Sequence, residues 1–193
     1  MAGPALPLEA WTNFYVIVGS SAGGLTGLTF VVIALVADAH AVRLTGLRAF
    51  ITPTIVHFGS ALVLSALMNV PGQSVTSLGI CLAAFGLMGF VYSAGTARQV
   101  YRSTTTTRYK PVAEDWIWNA ILPTVTYAIL FIAGLVASVH TAAALYLTAA
   151  VSMVLLIVGI HNAWDIAVWF TAERPGAQAQ EDNKPPPTGP PAE

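Results

Sequence analysis

Residues 143–170 read AALYLTAAVSMVLLIVGIHNAWDIAVWF, with Asp165 as the one formal charge. A soluble helix of this length needs a charged face to meet water, and none recurs here at helical spacing. The stretch is long enough to cross a hydrocarbon core, which takes about 20 helical residues. It reads as a transmembrane helix, and that reading sets the class of the whole chain.

Working outward, the same test finds four more runs: Phe14 to Ala37, Phe50 to Val70, Val75 to Ala97 and Ile117 to Val139. Asn69-Val70-Pro71-Gly72-Gln73 separates two of them, because proline and glycine stop a helix and start a turn. Ser138-Val139-His140-Thr141 separates the last two. Without a turn there, the fused helix would run to roughly fifty residues, far beyond a tilted span. The expected fold is an all-α integral membrane protein, a bundle of five transmembrane helices at 14–37, 50–70, 75–97, 117–139 and 143–170.

Composition points the same way. Hydrophobic residues make up 55% of the chain and charged ones 9%, against roughly 25% charged in soluble domains. The net charge of -1 leaves no basic footprint, which excludes nucleic acid as a partner. Cys81 is the only cysteine, so intramolecular disulfides and cysteine-pair metal sites are excluded as well.

The basic residues predict orientation. Arg43 and Arg48 fall in the first loop, Arg98, Arg102, Arg108 and Lys110 in the third, and Arg174 and Lys184 in the tail. With five spans these segments share one side, and the positive-inside bias makes that side cytoplasmic. A short external arm (1–13) and a disordered, proline-rich cytoplasmic tail (171–193) complete the expected layout, that of a multi-pass protein of a bacterial cytoplasmic membrane. The first run reads as a span and not as a cleavable signal, since no positive residue precedes it. Arg98, Arg102, Arg108 and Lys110 are placed to meet anionic lipid head groups. Glu114 and Asp115 read as acids that favour the N-terminus of the fourth helix.

Two sets of residues stand out as candidates. Gly19, Gly23 and Gly27 form a small-residue stripe suited to close helix packing, within the chain or against a homo-oligomeric or other membrane partner. Gly19-Ser20-Ser21-Ala22-Gly23 also matches a serine-nucleophile pattern, but no strand precedes it to build the required turn. The second set lies in the inner third of the spans. His57 is about 10 Å and His161 about 13 Å from the cytoplasmic ends of their helices at the helical rise. Asp165 follows His161 by one helical turn, with Asn162 beside it, and Asn119 and Tyr127 share a face with Pro123 and Thr126 on the fourth helix. Pro123 also frees the carbonyl of Asn119.

Ionisable groups inside a membrane are costly, so such a cluster is a functional hypothesis by default. The expectation is a polar pocket lined by His57, Asn119, Tyr127, His161, Asn162 and Asp165, open to the cytoplasm and serving an ion, proton or small-solute path in a transport or channel protein. No catalytic residue and no cofactor are expected on this reading. The alternatives are a redox protein holding one haem b between His57 and His161, and a non-catalytic membrane subunit or scaffold whose polar residues only lock packing.

Overall fold

The computed structural model describes residues 8–39, 44–106 and 113–172. Every element among them is helical. A 3-10 turn at Leu8–Trp11 is followed by α1 (Thr12–Ala39), α2 (Leu44–Met68), α3 (Val75–Thr106) and α4 (Ala113–Trp116). A π-helical turn at Ile117–Ile121 then leads into α5 (Leu122–Val136) and α6 (Thr141–Ala172). Four of the described stretches are long and apolar enough to cross a membrane: Leu8–Ala34, Val75–Gln99, Ile117–Val136 and Thr141–Val168. The apolar part of α2, Thr52–Met68, is shorter.

Burial is distributed as a lipid solvent dictates. Large apolar side chains point outward, among them Ile17, Phe30, Ile80, Met88, Ile132 and Ile157. Thr54, His57, Ser60, Ser65, Thr126, Thr148, Ser152 and Asn162 point inward. In water this would leave far more exposed apolar area than a stable monomer carries; in hydrocarbon it costs nothing. Most of the buried hydroxyls bond the carbonyl one turn back, as Ser65 does to Ala61, Thr126 to Leu122 and Thr148 to Ala144. Most of these hydroxyls are thus satisfied within their own helix where water is absent.

The helices pack in the spatial order α3, α5, α6, α2, α1, with α1 also touching α6. The α3–α5 crossing is the closest, and small residues make it possible. A methyl group built on Gly79 would lie 2.9 Å from the Gly134 carbonyl oxygen, one on Gly86 would overlap the backbone of Phe131, and one on Gly134 the backbone of Ala83. The core joins Tyr15, Val18 and Ala22 of α1 to Phe58 and Leu64 of α2, Leu82 of α3, Leu130 of α5 and Leu155 of α6.

The predicted breaks are present. After α2, Asn69 and Val70 donate their N–H groups to Ala66 and Leu67, Gly72 takes a left-handed φ of 68°, and Ser74 caps α3 through Ser77 N–H. After α5, His140 N–H bonds Val136 O at 2.8 Å and α6 starts at Thr141. Two boundaries differ from the sequence reading. The third loop was expected from Arg98, but α3 continues to Thr106, so Arg98 and Arg102 stand on helix. That segment is polar without being helix-breaking: it contains no proline, and Thr104 to Thr107 cost only modest propensity. The expected arm also begins its helical turn at Leu8. Arg108 and Lys110 lie outside the described residues, as do Arg43 and most of the expected tail.

Candidate functional site

Pro123 shapes the entry to the fourth span. It cannot donate to the carbonyl of Asn119, and its ring crowds that carbonyl. The chain answers with a wider turn at Ile117–Ile121, in which Leu122 N–H bonds Ile117 O five residues back. Such π turns are rare and concentrate at functional sites. Here the turn carries Trp118 against the ring of His161, with centroids 3.9 Å apart at 44°.

His161 stands between two carboxylates. Its Nε2 is 3.5 Å from Glu114 Oε1 and its Nδ1 is 3.2 Å from Asp165 Oδ2. The Asp165 contact is an ion-pair distance without hydrogen-bond alignment, since Nδ1 has no aligned acceptor. Both carboxyl groups are largely exposed while the imidazole is mostly covered, so the ring sits just beneath an acidic rim. Neighbouring Asn162 is buried, and neither atom of its amide has a hydrogen-bond partner among the described residues. A buried amide without partners is a standing cost of about 1–3 kcal/mol, and such groups are conspicuous at ligand or water sites.

A second group lies deeper, between α2 and α5. Tyr127 Oη is 2.7 Å from Ser60 Oγ and 3.4 Å from His57 Nδ1, the latter a long contact. His57, Ser60 and Tyr127 are all buried, and the two rings lie 6.1 Å apart at 33°. Ser60 follows His57 by three residues, which sets both on one face of α2, where the side chain of Tyr127 reaches them from α5. Tyr127 is seated over Gly89 of α3, where a methyl group would fall within the phenol ring.

The six residues expected to line one pocket are thus arranged in two groups. His57 and Tyr127 form one, and His161 and Asp165 the other, with Asn162 next to the second. Asn119 is half-buried on the π turn, joined to neither group by a hydrogen bond among the described residues. The sequence reading passed over four contributors. Ser60 was legible from its spacing to His57. Glu114 was read only as a helix-terminal acid, and Trp118 was passed over. Gly89 gave no sign in the sequence that an aromatic ring would cover it.

The other candidates are placed as follows. A methyl group on Gly19 would meet Ser65 Cβ at 2.9 Å, so Gly19 serves the α1–α2 contact, whereas Gly27 faces open space and Gly23 has only Leu62 Cδ1 at 4.0 Å. Arg98 is exposed near the end of α3. Among the described residues no three His, Cys, Asp or Glu side chains gather in a way that could hold a metal ion. His57 and His161 have different partners: Tyr127 for the first, and Trp118, Glu114 and Asp165 for the second. Comparison with models of known protein families, with curated proteins and with solved structures found no match to this chain.

Proposed function

We propose that this chain is a five-span protein of a bacterial cytoplasmic membrane, with N-terminus outside and C-terminus cytoplasmic, that provides a path for a proton, an ion or a small solute. The path is entered from the cytoplasm at Glu114, His161 and Asp165, and its inner station is His57, Tyr127 and Ser60. The observation that carries this reading is the flanked imidazole: His161, inside the mouth, has a carboxylate at each ring nitrogen, with an unpartnered amide, Asn162, beside it. Most buried hydroxyls of these helices are satisfied within the bundle, Tyr15 and Thr124 being exceptions, whereas Asn162 leaves both atoms of its amide without a partner among the described residues. A site that takes up and releases a charged species needs polar atoms left available, and Asn162 has two.

The test is flux through purified protein in sealed proteoliposomes. His161→Ala and Asp165→Asn are expected to lower flux by roughly 10-fold or more, because each removes an interaction at the entry that the buried path cannot replace. Asp165→Asn should retain wild-type elution and melting temperature in detergent, since Asp165 lies at the exposed rim, and it keeps the test decisive where His161→Ala loosens the packing against Trp118. Wild-type flux in both variants would defeat the proposal.

A further inference from the structure

We infer that the species crossing at this site is the proton itself, handed through the hydroxyl of Tyr127. The inference rests on the path proposed above and selects among its candidates. At the inner station an imidazole, a phenol and an aliphatic hydroxyl are in contact, with the hydroxyl of Thr54 one turn before His57 and no carboxylate among them; Glu114 and Asp165 stay at the mouth. A dehydrated metal cation needs about six oxygen ligands around it. Four side chains, one of them offering nitrogen, fall short of that set. Space is equally restrictive. Thr54 and Tyr127 are 0% exposed and His57 2%, and the fully buried side chains of Phe58, Leu64 and Leu130 lie close to them along α2 and α5. A hydrated ion or an organic solute would have to push these groups apart, whereas a proton needs only donors and acceptors in line.

The spacing supplies them. Tyr127 Oη lies between His57 Nδ1 at 3.4 Å and Ser60 Oγ at 2.7 Å, so it can accept from one and donate to the other. A proton taken up on Nε2 of His57 gives an imidazolium, which releases the Nδ1 proton to Tyr127 Oη. The tyrosyl proton passes to Ser60 Oγ, and the seryl proton passes to a water on the outward side. Each O–H or N–H bond that breaks is matched by one that forms, and every group ends with the number of protons it began with. Ser60, at 7% exposed, is the most accessible of the three, as the exit of such a relay requires. Gly89 holds the phenol in this line by leaving the ring room to lie against α3.

The test loads one proteoliposome preparation with a pH-sensitive dye and challenges it in parallel with a pH gradient, radioactive sodium and radioactive rubidium. Proton flux without sodium or rubidium flux is expected. Tyr127→Phe, which keeps the ring over Gly89 and deletes only the hydroxyl, should cut proton flux by roughly 10-fold or more by breaking the relay. Ser60→Thr, which keeps a hydroxyl, should retain a substantial share of the flux, and Ser60→Ala should lose it. Sodium or rubidium flux that survives Tyr127→Phe would overturn the inference while leaving a path in place. The absence of all three fluxes in the wild type would overturn both the inference and the path. Unchanged proton flux in Tyr127→Phe and Ser60→Ala would overturn the relay alone.

Discussion

Gly134→Leu is expected to abolish the folded bundle, with no monodisperse protein recovered in mild detergent. Even the first carbon of the new side chain would overlap the backbone nitrogen of Ala83 and crowd the Gly79 carbonyl. Backbone atoms cannot swing aside as a side chain can, so α3 and α5 must part along their length. Overpacking a well-filled core costs about 1–3 kcal/mol when side chains can adjust, and a backbone collision belongs to the tail of mutational effects above about 4 kcal/mol. In a membrane this loss is hard to offset, because helix association there depends on close packing and not on expelling water. Gly24→Leu is the matched control. Among the described residues nothing lies within 4 Å of the position a methyl group would take there, and recovery should match the wild type. Equal thermal stability of Gly134→Leu and Gly24→Leu would show that α3 and α5 do not cross as described.

Gly89→Ala should have the second largest effect, out of proportion to the single carbon it adds. The new methyl group falls within the ring of Tyr127, so the phenol has to leave its seat against α3. Displacing it breaks the 2.7 Å bond to Ser60 Oγ and the longer contact with His57 Nδ1. Buried polar atoms left without partners cost about 1–3 kcal/mol, to which the overpacking adds a similar amount. The melting temperature in detergent should fall by several degrees, and flux should fall with it. Gly95→Ala is the control on the same helix: no atom of the described residues lies within 4 Å of its methyl position, and alanine is the better helix former by about 1 kcal/mol. A melting temperature for Gly89→Ala at or above that of Gly95→Ala would remove Tyr127 from its assigned seat.

These two glycines also mark where the sequence stopped being readable. The apolar helices, four of them long enough to span, and the turns between them were legible because hydrocarbon imposes one strong rule on a long stretch, and Pro71-Gly72 punctuates it with residues of fixed conformational meaning. Which helix face meets which neighbour is set by packing in three dimensions, and no rule of composition predicts it. Gly19, Gly23 and Gly27 drew attention by their even spacing, yet the tightest crossing is made by Gly79, Gly86 and Gly134, two of them on one helix and the third some fifty positions away. The candidate site shows the same division. His161 and Asp165 are one helical turn apart, so their meeting was local and predictable. Glu114 reaches His161 across two helices, through a turn rewound at Pro123, and only the fold brings them together. His57 and Tyr127 were both singled out, but Ser60, the residue that bonds Tyr127 most closely, was passed over because serine in a span is ordinarily satisfied by its own helix.

The claim on which the rest depends is that the acidic mouth around His161 opens to the cytoplasm. Asp165→Cys in a Cys81→Ala background places one thiol at the rim of that mouth and tests it directly, using a membrane-impermeant maleimide on right-side-out and inside-out vesicles. Labelling in inside-out vesicles alone is the predicted result, with Glu114→Cys behaving in the same way. Labelling from the outer face would invert the topology and contradict the account.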